Sequence, residues 1–97
     1  MGPEAKIEKI VCDYAAAQGC LVYKFVSPSR RSVPDRIFFF RGSCWMIEFK
    51  APGKKATEAQ RREIERLEAE GCRVYVVDNM IEGKSRVENE IYYALNS

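Results

Sequence analysis

The sequence predicts an α/β protein in which helices flank a four-stranded mixed β-sheet, in the order α-β-β-β-α-β-α. Three patterns lead to this prediction. Three segments carry apolar residues at helical spacing, three strand-like segments follow one another between residues 20 and 50, and a β-branched strand lies between two of the helices. Helices on both faces are the simplest way to bury such a sheet. No repeat or linker interrupts residues 1–97, so we expect a single domain.

The first part of the chain combines one helix with one strand. The helix is predicted from about residue 4 to residue 18, with Pro3 near its start and Gly19 just after its end. Proline and glycine favour these two positions. The alternating segment Cys20–Val26 predicts the first strand, and a polar loop follows over residues 27–33.

The rest of the chain begins with a hairpin over residues 33–50, whose turn is predicted at Arg41-Gly42-Ser43. A second helix follows from about Thr57 to Glu70, and Thr57-Glu58-Ala59-Gln60 matches a capping box at its start. The segment Cys72–Val77 predicts the fourth strand. Ser85-Arg86-Val87-Glu88 matches another capping box, so the last helix is expected to begin there.

Composition excludes several classes of protein. The chain is 46% hydrophobic and 31% charged, which is typical of a globular domain rather than a disordered one. It has no histidine, which excludes catalysis by His and metal sites built on His. Its four cysteines lack the paired spacing of a zinc site, so free thiols are the expectation and a four-cysteine zinc site the weaker alternative. No segment is long and apolar enough for a membrane helix, and no signal peptide is recognisable. We expect a cytoplasmic protein without a membrane partner.

Positive charge is concentrated in the middle of the chain. Residues 24–62 contain ten basic and three acidic residues, a net of +7, whereas the remainder contains six basic and eleven acidic residues, a net of −5. Such a concentration is the footprint of a surface that binds a polyanion. Basic surface is common, so this pattern favours nucleic acid only weakly.

The predicted hairpin carries charges that apolar strands normally exclude. If its turn closes on Gly42-Ser43, Asp35 lies opposite Lys50 and diagonal to Glu48, on the same face. Two carboxylates at that distance can hold Mg²⁺, which prefers oxygen ligands, and a neighbouring ammonium suits metal-assisted hydrolysis of a phosphodiester. A buried ion pair is the alternative, but it leaves one carboxylate without a partner.

Pro34-Asp35 followed by Glu48-Phe49-Lys50 resembles the PD-(D/E)xK arrangement of restriction-endonuclease-like nucleases. The fuller pattern, from Lys24 through Val33-Pro34-Asp35-Arg36 and Ile47–Lys54 to Gln60, resembles the virus-type replication-repair nuclease (VRR-NUC) family in a stand-alone form. Ser32 departs from this pattern, because the family usually has glycine there. The resemblance implies a restriction-endonuclease-like αβββαβ core, followed here by a C-terminal helix.

The resemblance also assigns roles to individual residues. It implies that Asp35, Glu48 and the backbone carbonyl of Phe49 bind the metal, Mg²⁺ or Mn²⁺, and that Lys50 helps to activate water. Glu8 matches the family's helix-1 carboxylate better than Glu4. Gln60 matches a glutamine of the site, although the capping box alone would also account for it.

Together these observations predict a metal-dependent, structure-selective DNA endonuclease of phage or bacterial origin that acts in DNA repair. A homodimeric Holliday-junction resolvase is the first expectation. The alternatives are a nuclease for flaps or other branched DNA, or a catalytically silent DNA-binding module. No organic cofactor is expected. The predicted phosphate contacts are Arg30, Arg31, Arg36, Lys54 and Lys55.

Overall fold

The computed structural model describes all 97 residues. Its elements, in chain order, are α1 (Pro3–Ala17), β1 (Leu21–Lys24), β2 (Arg36–Phe40), β3 (Ser43–Phe49), α2 (Glu58–Ala69), β4 (Val74–Val77) and α3 (Met80–Asn96). The four strands form one sheet in the order β1-β2-β3-β4. β2 is antiparallel to both β1 and β3, and β4 is parallel to β3. The predicted fold class, an α/β protein with a mixed four-stranded sheet, is confirmed.

Both faces of the sheet are covered, which explains why the hairpin is apolar on both sides. On one face, Phe38, Trp45 and Phe49 pack with residues of α1 and α3 such as Val11. The rings of Phe38 and Trp45 stack with their centroids 5.5 Å apart. On the other face, α2 packs Ile64 against Met46 of β3 and Val74 of β4. Residues with even numbers in β3 therefore face α2, and those with odd numbers face α1 and α3.

The hairpin register differs from the predicted one by two residues. The pairs are Phe40 with Ser43 and Arg36 with Ile47, so the turn consists of Arg41 and Gly42 alone. Both turn residues have positive φ, 45° and 87°, as a two-residue type I′ turn requires. Asp35 is consequently not opposite Lys50. One step beyond the last pair places it opposite Glu48. Because side chains alternate with a period of two, a shift of two residues leaves every side chain on its predicted face.

The last helix begins earlier than predicted. Asn79, and not Ser85, is its N-cap, and the Asn79 side chain accepts a hydrogen bond of 2.8 Å from the N–H of Glu82. Gly83 in its second turn is the reason that the pattern looked like a loop. A Cβ at that position would overlap Val11 of α1 and lie 3.2 Å from Val77 Cγ1. Gly83 therefore allows α3 to approach α1 and β4 closely.

All four cysteines are free thiols, and Cys12 and Cys20 are buried. No three His, Cys, Asp or Glu side chains lie together as a metal-binding group, so the cysteines do not form the alternative zinc site. None of the helices combines the length and the apolar character needed to span a membrane.

Candidate active site

The predicted site residues of the hairpin meet at the end of the sheet where β3 finishes, on the face that α2 covers. Glu48 belongs to β3, and Lys50 directly follows that strand. Asp35 immediately precedes β2, and its Oδ2 accepts a hydrogen bond of 2.8 Å from the backbone N–H of Phe49. The Nζ atom of Lys50 lies 3.5 Å from Oε2 of Glu48. The structure thus brings together two carboxylates and one ammonium, as the sequence predicted.

The two carboxylates share an unfavourable environment. Glu48 is only 3% exposed, and this burial raises its pKa to about 7, with the charge of Asp35 adding to the effect and that of Lys50 opposing it. Burial also raises the pKa of Asp35, although the hydrogen bond from the Phe49 amide opposes the shift. A buried and a half-buried carboxylate that repel each other favour a proton or a cation between them.

Gln60 makes contacts at both of the places that the sequence left open, the cap of α2 and a predicted site carboxylate. Its Oε1 accepts a hydrogen bond of 2.9 Å from the N–H of Thr57, and Thr57 Oγ1 accepts one from the Gln60 N–H, so the capping box is complete. Its Nε2 donates a hydrogen bond of 2.7 Å to Oε2 of Glu48. One amide group therefore joins the start of α2 to the buried carboxylate.

Two of the three acidic residues of α1, Glu4 and Glu8, approach the site from the other face of the sheet. Oε2 of Glu8 accepts a hydrogen bond of 2.7 Å from Nε of Arg36. The charges of both Glu8 and Glu4 raise the pKa of Asp35, and Glu4 has the same effect on Glu48. Glu8 is thus near the carboxylates but paired with Arg36, which in turn is engaged within the protein rather than free on its surface. The site role of Glu8 and the phosphate contact by Arg36 stay predictions.

The other predicted phosphate contacts lie on opposite flanks of α2. Arg30 and Arg31 line a pocket of about 360 Å³ between the loop after β1 and α2. Lys54 and Lys55 line a second pocket, of about 450 Å³, between the loop before α2 and the β4 side of the sheet. The sequence prediction omitted three arginines of α2 that also line these pockets: Arg61, Arg62 and Arg66. Their helical spacing was available, but nothing in the sequence indicated which flank of α2 each arginine would occupy.

The oxygens around Glu48 suit a hard divalent cation. Asp35 and Glu48 each use one oxygen in a hydrogen bond with the protein. Their second oxygens, Oδ1 and Oε1, accept no hydrogen bond from the protein. Two carboxylate oxygens, completed by water, are a donor set that Mg²⁺ accepts. No third acidic side chain, Cys or His joins them in a cluster.

Comparison with known proteins identifies the family to which this arrangement belongs. No family model matches the chain. A protein of the Acyrthosiphon pisum secondary endosymbiont phage 1, described as "Putative nuclease p44", is 46% identical over 77 residues, which are 78% of this chain and 83% of that protein. A solved structure described as a VRR_NUC domain matches with a TM-score of 0.84 at 29% identity, over 91% of this chain and 97% of that one. The chain belongs to the VRR-NUC nuclease family.

A second solved VRR_NUC domain protein, 22% identical, matches with a TM-score of 0.79 over 94% of this chain and 89% of that one. At that identity the likeness concerns the fold alone, and it supports the sheet order described above. The predicted membership of the VRR-NUC family is confirmed. The carboxylates, Lys50 and Gln60 therefore lie together in a nuclease domain.

Proposed function

We propose that this VRR-NUC nuclease is a metal-dependent DNA endonuclease that selects its substrate by structure and acts as a homodimeric Holliday-junction resolvase. The observation that supports it best is the convergence of Asp35, Glu48 and Lys50 at one end of the sheet, held by Gln60. A DNA-binding module without catalysis would need basic surface, but it would not need a buried and a half-buried carboxylate that repel each other.

The cation would be Mg²⁺ or Mn²⁺, held by Oδ1 of Asp35, Oε1 of Glu48 and the backbone carbonyl of Phe49. When bound, it supplies positive charge that stabilises the negative charge developing on the scissile phosphate. It would also offset the burial and the charge of Asp35 that together raise the pKa of Glu48 to about 7. The Phe49 amide and Gln60 fix one oxygen of each carboxylate, and so orient the other oxygen.

Lys50 is the residue placed to assist the attacking water. Its ammonium group is mostly buried and lies 3.5 Å from Glu48, so its charge is only weakly screened by solvent. A cationic donor beside the phosphate stabilises the oxyanion that forms as water attacks. In-line attack with the 3′ oxygen as the leaving group would give 5′-phosphate and 3′-hydroxyl ends, which the family resemblance implies.

A homodimer of this chain would account for the selection of four-way junctions. Such a junction has approximate two-fold symmetry and requires two cuts, and a C₂ dimer presents two identical sites. Apolar side chains outside the core are available for an interface: Leu21 and Tyr23 of β1, and Tyr92 and Tyr93 of α3. Exposed apolar groups beyond what one core buries often mark an interface. The phage relative supports action in the cytoplasm of a bacterial cell.

The test is cleavage of a matched panel containing linear duplex, flap, splayed arm and four-way junction, each with Mg²⁺, Mn²⁺ or EDTA. Paired cuts in the four-way junction, dependent on a divalent cation, are expected, together with a dimeric mass by light scattering. Asp35→Ala and Glu48→Ala should abolish cleavage and retain DNA binding in EDTA. Cleavage by pure Glu48→Ala protein would refute the site. A monomer that prefers flaps would refute the resolvase role alone.

A further inference from the structure

The pocket between the loop after β1 and α2 is strongly basic for its size. It has a volume of about 360 Å³ and one hydrophobic lining residue, and its lining consists of Ser29, Arg30, Arg31, Ser32, Ala59, Arg62, Glu63 and Arg66. Four guanidinium groups face a single carboxylate, a net charge of +3. A concave surface of this charge attracts anions, and guanidinium groups match the oxygens of a phosphate with paired hydrogen bonds.

The pocket is separate from the candidate active site but lies on the same helix. Ala59, Glu63 and Arg66 recur at the spacing that places residues along one side of a helix. Gln60 and Ile64, each one residue further along than Ala59 and Glu63, instead face the sheet, where Gln60 reaches Glu48. α2 therefore holds the buried carboxylate with one side and lines the arginine pocket with the adjacent side.

The lone carboxylate of the pocket lies among its arginines. Oε1 of Glu63 is 3.7 Å from Arg30 and 3.5 Å from Arg66. The side chain of Glu63 is 13% exposed, whereas those of Arg30 and Arg66 are 48% and 59% exposed. Arg62 pairs instead with Glu58, at 2.8 Å. Glu63 thus neutralises only part of the charge and leaves exposed donors at the mouth of the pocket.

We propose that this arginine pocket binds a phosphate group of the DNA other than the scissile one, and that Glu63 partly occupies the place of that phosphate in the free protein. The proposal rests on the proposed function, because it takes DNA as the substrate. Binding to phosphate positions DNA without reading its sequence. On the other flank of α2, Lys54, Lys55 and Arg61 provide basic surface, so the helix lies between two basic surfaces that can hold the DNA backbone.

The test compares DNA binding by Arg62→Gln/Arg66→Gln with that of a control, Lys9→Gln/Arg41→Gln. The control removes the same charge from exposed positions on α1 and at the hairpin turn. Fluorescence anisotropy on a four-way junction in EDTA, over a series of salt concentrations, measures binding without cleavage. We expect at least a tenfold loss of affinity for the pocket variant. Its salt dependence should also be weaker, by about 0.9 in log–log slope for each DNA phosphate that the variant no longer neutralises. The control should lose less than threefold.

Glu63→Gln should change the affinity for DNA in the opposite direction to the arginine variant. It removes the competing carboxylate and nearly preserves the shape of the side chain, so affinity should rise and the salt dependence should steepen. Junctions with and without 5′-phosphates distinguish a terminal phosphate from a backbone phosphate as the ligand. Equal affinity of the pocket variant and the control, or weaker binding by Glu63→Gln, would overturn the proposal. An unmodified protein that neither binds nor cleaves DNA would instead refute the proposed function.

Discussion

Replacing Glu48 by Gln should make the metal-free protein more stable at alkaline pH. Burial and the charge of Asp35 raise the pKa of Glu48 from its ordinary 4.5 to about 7. Between these two values the folded protein holds a proton that the unfolded chain releases. The contribution of Glu48 to stability is therefore fully present below pH 4.5, decreases as the pH rises to 7, and stays low above it. Gln at this position has nearly the same shape and no charge, so the variant avoids this decrease.

The expected gain follows from the size of the shift. One pKa unit corresponds to about 1.4 kcal/mol, so the variant should be more stable by about 3 kcal/mol at pH 8 and by less than about 1 kcal/mol at pH 5. The hydrogen bond from Gln60 can be retained, because the new amide presents an oxygen where Oε2 of Glu48 now accepts. This gain would accompany complete loss of cleavage, as expected when a group that serves function opposes stability.

Urea unfolding in EDTA at pH 5 and pH 8 measures the effect. Glu68→Gln, which removes an exposed carboxylate from α2, is the control for a general change in charge. Adding Mg²⁺ at pH 8 should stabilise the unmodified protein more than the Glu48→Gln variant, because the proposed cation site uses both carboxylates. The reasoning would be refuted if Glu48→Gln were no more stable than the unmodified protein at pH 8, or if its gain were the same at both pH values.

Four further variants test the contact of Gln60 with Glu48, the helix cap, the ammonium group and the packing of α3. Gln60→Glu retains an acceptor for the capping box but replaces the donor to Glu48, so cleavage in Mg²⁺ should fall at least tenfold. Thr57→Ala should instead cost about 1 kcal/mol of stability and leave cleavage nearly unchanged; equal effects on cleavage would contradict separate roles. Lys50→Ala should slow single-turnover cleavage by about 10² or more, with an unchanged circular dichroism spectrum. Gly83→Ala, whose Cβ would overlap Val11, should lower the free energy of unfolding by about 1–3 kcal/mol; a more stable variant would mean that helix propensity outweighs the overlap.

The position of the site could be predicted from the sequence because it depends on which face of a strand each side chain occupies. The predicted register was wrong by two residues, because the turn was predicted at Gly42-Ser43 and lies one residue earlier, at Arg41-Gly42; an arginine at positive φ is uncommon. Asp35 and Glu48 nevertheless share a face in both registers. A register error of one residue would have placed Asp35 and Glu48 on opposite faces of the sheet. The predicted start of α3 was wrong because Gly83 resembles a loop residue. Its reason for being glycine becomes clear only from its contact in space with Val11 of α1.

Other features depend on the packing of distant parts of the chain, and periodicity does not reveal them. The hydrogen bond between Arg36 and Glu8 joins residues 28 positions apart. No local pattern in the sequence indicates this pair, so Arg36 was considered only as a phosphate contact. The arginine pocket was missed for a related reason. Its charge is divided between the loop after β1 and α2, and Arg62 and Arg66 of α2 are individually ordinary exposed helix residues. Only the packing of α2 on the sheet brings the two groups together.

The side-chain amide of Gln60 connects Glu48 to a backbone N–H outside the site, that of Thr57. Since Oε1 of Gln60 is bonded to the Thr57 N–H and Nε2 to Glu48, the orientation of the amide is fixed at both ends. A ligand that draws Glu48 away must either pull Gln60 from the cap or break its bond to the carboxylate. The first case would speed exchange of the Thr57 amide hydrogen with solvent, and the second would leave it slow. Hydrogen exchange at this one amide, outside the site, can therefore distinguish two ways in which the carboxylate adapts to a ligand.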